Sequence, residues 1–221
     1  MRATGADETD DERRGRRGGR PSRAEAERLG DRILDVATEA FLHDGYGGAS
    51  IEAIARRARI SKRTFYSRFK NKAALFGAVV HRVVERLRPP DTAGMFEGGS
   101  LEEILRRLAR YILAAALSPP ALALHRVILA EAVRFPELAA AVAEQGGSRE
   151  AVQRIAALLE RERAAGHLGI ADTVFAATQF LQLVVGAPQR RALGLGAPMT
   201  EAELDAWAEA AVSLFLRGCR G

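Results

Sequence analysis

The sequence predicts an all-α protein, a small helix-turn-helix head on a larger helical body, and three observations carry that reading. Apolar residues recur at helical spacing, and no stretch alternates with the period of two that a half-buried strand needs. Helix start and stop signals punctuate the chain often enough for about nine helices: Ser, Asn, Asp or Thr before a periodic run, Gly or Pro after it. With 221 residues, 48% of them apolar and 28% charged, the chain can bury a substantial core.

Residues 1–22 are rich in Arg, Gly and acids and are expected to form a disordered tail. A first helix reads from about Ala24 to His43, with Leu29, Ile33, Val36, Ala37, Ala40 and Phe41 at helical spacing and Gly45 as its stop. Ser50 caps a second, Ile51 to Ala58. The short link "RIS" permits only a tight turn before a third helix, capped by Ser61 and running roughly from Lys62 to Phe69. Asn71 caps a fourth, which reaches about Arg88 and meets Pro89-Pro90. Beyond it, Ser100 and Glu103 form a capping box for a helix ending near Ser118-Pro119-Pro120. Helices over Leu122–Phe135, Glu137–Gln145 and Arg149–Ala165 follow, with Pro136 and "GGS" between them. Asp172 caps an apolar helix expected to stop at Ala187, before Pro188. Thr200 and Glu203 open the last helix, to about Arg217. The chain thus divides into a tail (1–22), a head (23–70) and a body (71–221).

Charge distinguishes the head from the body. Residues 20–90 carry fifteen basic and eight acidic side chains, net +7, whereas residues 91–221 carry thirteen and fifteen, net −2. Between residues 50 and 72 eight cations face a single acid, Glu52, and all three lysines of the chain (Lys62, Lys70, Lys72) fall there. Such a localised positive face is the electrostatic footprint of a nucleic-acid partner. A merely solvated basic helix is the bland alternative. A membrane surface would need an apolar face free for lipid, and Phe65 and Phe69 are committed to packing. No apolar run reaches the roughly 18 to 20 residues of a bilayer span, and no secretory signal opens the chain. With Cys219 as the only cysteine, a reducing cytoplasm is the expected compartment. The four histidines (His43, His81, His125, His167) stand far apart. There is no nucleophile–base pairing, phosphate loop or metal motif, so no enzyme activity and no cofactor are expected.

Two short helices joined by a three-residue turn place the second in the DNA major groove. On the third helix Phe65 and Phe69 point toward Ile51 and Ile54, and the opposite face presents Arg63 and Ser67, flanked by Thr64, Tyr66 and Lys70. Arg and Lys bond guanine edges or phosphates, Thr meets the thymine methyl, and Tyr and Ser hydroxyls reach phosphate oxygens. Ser50, Ser61 and Lys62 flank this face, and Asn71-Lys72 offers a helix N-terminus beside a cation as a second phosphate clamp.

The stretch "GYGGASIEAIARRARISKRTFYSRFKNKAALF", Gly45 to Phe76, resembles the DNA-binding domain of TetR-type transcriptional regulators. The matching features are Gly45-Tyr46, Ser50, Ile54-Ala55, Ser61, Tyr66 and Lys72. "HRVILAEAVRFPELAAAV", His125 to Val142, resembles the C-terminal domain of the AefR-like branch. One position departs from the pattern: the turn holds Arg59 where the family usually has Gly. A positive φ there costs about 1 kcal/mol and gives Arg59 a route to phosphate. The "GGRPSR" stretch at 18–23 is similar to arms that enter narrow minor grooves, and equally to a solvated tail.

The resemblance implies double-stranded DNA with a palindromic operator as one partner and a second copy of the chain as another. The dimer would form through the last two helices, whose stripes include Leu181 and Val184 in one and Leu204, Trp207, Ala211 and Phe215 in the other. The same stripes would also serve the chain's own core. The resemblance further implies repression relieved by a small effector. Tyr111, His125, Phe175, Gln179 and Gln182, polar or aromatic groups on apolar helices, are the candidate contacts for an apolar or amphipathic molecule. A DNA-binding architectural protein without an effector is the rival reading.

Overall fold

The computed structural model describes residues 23–88, 94–145 and 148–219. The expected tail, nearly all of the "GGRPSR" stretch and the Pro89-Pro90 stop lie outside the described residues, as do the two glycines of "GGS". The described chain forms ten α-helices, one for each stretch read as helical above, and a single 3-10 turn at Gly94–Phe96, with no strand among the described residues. They are α1 (Arg23–Gly48), α2 (Ile51–Arg57), α3 (Lys62–Tyr66), α4 (Lys72–Leu87), α5 (Leu101–Ala116), α6 (Pro119–Glu131), α7 (Pro136–Gln145), α8 (Ser148–Ala164), α9 (Thr173–Ala192) and α10 (Glu201–Cys219).

Most caps fall where side-chain chemistry demands them. Ser50, Ser61, Asn71 and Ser118 each accept a hydrogen bond from a backbone N–H of the first turn they precede, and Asp172 accepts two. Ser100 with Glu103, and Thr200 with Glu203, close reciprocal capping boxes. Gly45 interrupts α1 with φ 72° rather than ending it, and a last turn continues to Gly48.

Three boundaries differ from the sequence expectation. Helix α3 ends at Tyr66, because Ser67 turns its hydroxyl onto the Thr64 carbonyl and competes with the helical ladder. Helix α6 begins at Pro119: prolines in the first turn lose no helical hydrogen bond, so the pair read as a stop is a start. Helix α9 runs through Pro188 to Ala192. A proline inside a helix leaves the carbonyl four residues earlier without its donor. Here that carbonyl, Val184, accepts the Trp207 indole N–H at 3.0 Å, and the helix continues.

Two apolar clusters form. In the first, α1 to α4 close around Phe41, Tyr46, Phe65 and Phe76, and Leu124 of α6 and Leu138 of α7 pack into the same cluster. Phe76 meets Phe41 edge-on at 4.9 Å and Tyr46 at 5.7 Å, the arrangement ring quadrupoles prefer. In the second, α5, α8, α9 and α10 enclose Leu105, Leu158, Phe180 and Val212. Arg82 staples α4 to α1, pairing with Asp35 at 2.9 Å and donating to the Asp31 carbonyl and the Thr38 hydroxyl.

Candidate nucleic-acid interface

The head is held by apolar contacts on one side and leaves its cations outward on the other. Phe65 is fully buried against the first cluster and stacks at 5.6 Å with Phe69, which fixes the rotation of α3. Helix α2 ends at Ala58 with a Schellman turn: Arg59 N–H donates to the Arg56 carbonyl and Ile60 N–H to the Ala55 carbonyl. Arg59 takes φ 55°, the one positive value at a described non-glycine residue. The strain anticipated from the sequence is therefore present. Arg32 of α1 donates to the Ala58 carbonyl and pins the turn.

Rotation of α3 about Phe65 exposes Lys62, Arg63, Tyr66 and Ser67, with Thr64 half-buried beneath them. The side chains of Arg59, Arg63 and Lys70 are exposed and have no ion-pair or hydrogen-bond partner among the described residues; that of Arg56, absent from the sequence candidates, shares that state. Its helix position next to Arg57, which pairs with Glu39, was the available signal. Lys62 pairs with Glu52 at 2.8 Å. That hydrogen bond and charge hold the Glu52 carboxyl down at about 2. Ser50 and Ser61 spend their acceptor capacity on caps, and Ser61 also shares a hydrogen bond with Thr64 at 2.9 Å. Chemically, the face offers phosphate oxygens and base edges a set of unpaired cations, a phenol 52% exposed and several hydroxyls.

Lys72 departs from its expected role. Its ammonium donates to the Gly47 and Ala49 carbonyls at 3.3 and 3.1 Å and lies 4.7 Å above the Tyr46 ring. A half-buried lysine closing the end of α1 is poorly placed to clamp phosphate. Burial pushes its pKa below the usual value. The corner between α6 and α7 completes this clasp: Glu131 accepts from Gly47 N–H at 3.2 Å, Glu137 accepts from the Tyr46 hydroxyl at 3.4 Å, and Phe135 packs on Tyr46 at 5.1 Å. A Cβ on Gly45 would lie 2.7 Å from a Glu131 carboxylate oxygen and displace it, and φ 72° there favours glycine in any case.

In the body, a cavity of about 840 Å³ opens among α4, α5, α8 and α9. Of the residues named above, Tyr111 and Gln182 line it, and His125, Phe175 and Gln179 do not. His125 sits half-buried on α6, where burial lowers its pKa, and Phe175 is 62% exposed on the outer face of α9 beside exposed Gln179. Leu181, named above for the dimer, lines the cavity instead. Val184, Ala211 and Phe215 are buried in the chain's own core, Phe180 meeting Phe215 at 5.0 Å, so no partner can reach them. Trp207 is spent on α9, and Leu204 packs half-buried against the same cluster. Helical spacing marks an apolar face but not which neighbour covers it. The cavity residues missed in the sequence are Arg88, Glu150 and Arg154, joined by ion pairs at 2.7 Å across 62 and four positions.

Comparisons with known proteins agree with this geometry. Residues 33–79 match the profile of bacterial regulatory proteins of the tetR family, and residues 103–218 that of the AefR-like transcriptional repressor C-terminal domain. The HTH-type transcriptional regulator UidR of Escherichia coli is 32% identical over 120 residues, 52% of this chain and 58% of its own. The chain spans about half the length of the curated relatives it matches. A TetR-family regulator structure from Mesorhizobium loti superposes with a TM-score of 0.72 and 31% identity, covering 91% of this chain and 100% of that one. The flavonoid-responsive regulator FrrA gives 0.69 and 36%, covering 88% and 98%. UidR and the Mesorhizobium loti protein are transcriptional regulators by name, and FrrA is a flavonoid-responsive regulator. A helix-turn-helix head with outward cations, an AefR-like helical body and matches along nearly the whole described chain lead to one conclusion: the protein is a DNA-binding transcriptional regulator of the TetR family.

Proposed function

We propose that the chain acts in the cytoplasm as a homodimeric repressor that leaves its operator when a small apolar or amphipathic effector enters the body. The observation that carries this reading is the unpaired set Arg56, Arg59, Arg63 and Lys70 around α3, a local excess of positive charge suited to a polyanion. Arg63, Thr64 and Ser67 are assigned to base edges; Ser50, Arg59, Ser61, Lys62, Tyr66 and Lys70 are assigned to the backbone. Residues 23–70 act as the reading unit and 71–221 as the sensing and pairing unit. Pairing is supported by Val174 and Phe175 of α9 and Leu214 of α10, all more than half exposed once the chain's own core is complete. The effector is supported by the cavity volume, within the roughly 300–1,000 Å³ of small-molecule sites, and by the likeness to a flavonoid-responsive regulator. The cavity favours this reading over an architectural protein without effector.

The test is binding to DNA upstream of the chain's own and adjacent genes, titrated against salt with random duplex as competitor. A saturable, salt-steep complex with a two-fold symmetric footprint, released by apolar compounds, is the expected result. Binding that random duplex removes equally well would defeat sequence-specific regulation.

A further inference from the structure

The wall of the cavity is mostly apolar along α5, mixes Leu181 and Val185 with Thr178, Gln182 and Gln189 along α9, and is charged where α4 ends against α8. Three cations line that end, Arg88, Arg149 and Arg154, against one carboxylate, Glu150. Arg88 follows the last residue of α4 and is only a quarter exposed, its guanidinium 2.6 Å from Glu85 and 2.7 Å from Glu150. Arg154 holds the other Glu150 oxygen at 2.7 Å. Arg149 has no partner among the described residues, and the half-buried Tyr111 hydroxyl makes no hydrogen bond there. Glu85 stands behind Arg88, so the charged end carries a net excess of one positive charge over two carboxylates, together with a phenol lacking a partner.

Resting on the effector reading above, we propose that the cavity takes an apolar molecule bearing one anionic group, a carboxylate or phenolate, and that Arg149, Arg88 and Tyr111 receive that group. The anion competes with Glu150 for Arg88. An apolar body alone would fill the aliphatic wall and leave the cationic excess unanswered, whereas a cationic ligand would meet three guanidinium groups. The exchange also has a mechanical sense. Helix α4 runs from Lys72 beside the head to Leu87 beside the cavity, roughly 24 Å. Arg88–Glu150 is the ion pair that ties its far end to α8. An anion that draws Arg88 away from Glu150 therefore frees the end of the helix that carries the head.

Isothermal titration of the full chain with two matched pairs tests this: decanoate against decan-1-ol, and biphenyl-4-carboxylate against biphenyl-4-ylmethanol. In at least one pair the carboxylate is expected to bind about tenfold more tightly than the alcohol, as a charge-assisted hydrogen bond predicts. Arg88→Gln and Arg149→Gln should each weaken the carboxylate about tenfold and leave the alcohol within about twofold. Glu150→Gln should act in the opposite sense and tighten the carboxylate, because it removes the competitor; a variant that merely damaged the fold could not do so. Alcohols binding as well as or better than the acids in both pairs would overturn the anion inference and leave the effector reading intact. Failure of all four compounds to bind would remove both.

Discussion

The head and the body use many of their cations differently. In the body, Arg106 and Arg110 of α5 pair with Glu209 of α10, Arg154 with Glu150, and Arg163 with Glu160. In the head, Arg56, Arg59, Arg63 and Lys70 are left without partners on one face. Apolar packing follows the same division. The head closes around aromatic rings that meet mostly edge to face, whereas the body leaves about 840 Å³ open among mainly apolar side chains with a charged end. Helices tied together by ion pairs around an unfilled interior suit sensing a small molecule. A filled interior with unsatisfied charge suits gripping a polyanion. The clasp of Lys72, Glu131 and Glu137 lies between the two, where both kinds of interaction are internally satisfied.

Replacing the ring that orients α3 is the strongest way to break this contrast. Phe65→Ala should cost about 3–5 kcal/mol in urea denaturation and abolish DNA binding. A loss below about 1 kcal/mol would mean that Phe65 does not hold α3. In the body, Trp207→Phe keeps an aromatic ring but removes the N–H and strands the Val184 carbonyl opposite Pro188. It should cost about 1–3 kcal/mol, and an unchanged denaturation midpoint would remove the indole from the account of α9. Lys72→Ala sharpens the boundary between the regions. It should lower stability by about 1–2 kcal/mol and leave the salt slope of DNA binding unaltered. Arg63→Ala should reduce that slope by about one. A matching slope change for Lys72→Ala would return that lysine to the phosphate contacts. Arg59→Gly relieves the positive φ and should raise stability by at most about 1 kcal/mol while weakening DNA binding; a loss of stability would show the turn unstrained.

The last effect appears only at alkaline pH. Burial first, then the nearby Glu137 carboxylate, raises the Tyr46 hydroxyl from 10.0 to about 12. Between those values the unfolded chain releases a proton that the folded chain retains, so stability falls as pH rises through this window. Tyr46→Phe should remove that component, leaving a shallower loss between pH 10 and 12 when denaturation curves are compared. Identical pH profiles would place the ring outside the alkaline transition.

What was legible in the sequence is what local chemistry decides. The caps at Ser50, Ser61 and Asn71 and the strained Arg59 depend on residues within a few positions of one another, and pattern reading finds them. The same holds for the orientation of Phe65. Lys72 was assigned outward because its inward partners include the α6–α7 corner, some sixty residues away. Pro188 was read as a terminus because its repair comes from Trp207, on the next helix. The cavity candidates failed for a related reason. Polar residues on apolar helices, such as His125 and Gln179, look conspicuous in sequence. Arg88 and Glu150 look like ordinary surface charges until α4 and α8 are brought together.

Trp207 is the only tryptophan in the chain, and it touches the one helix that passes through a proline and also walls the cavity. Its indole bonds the carbonyls of Leu183 and Val184, while Gln182 and Val185 on either side of them face the interior. The protein therefore carries an intrinsic fluorophore wired to the cavity wall. Any occupant that shifts α9 should change the polarity around that indole and move its emission maximum, with no label attached.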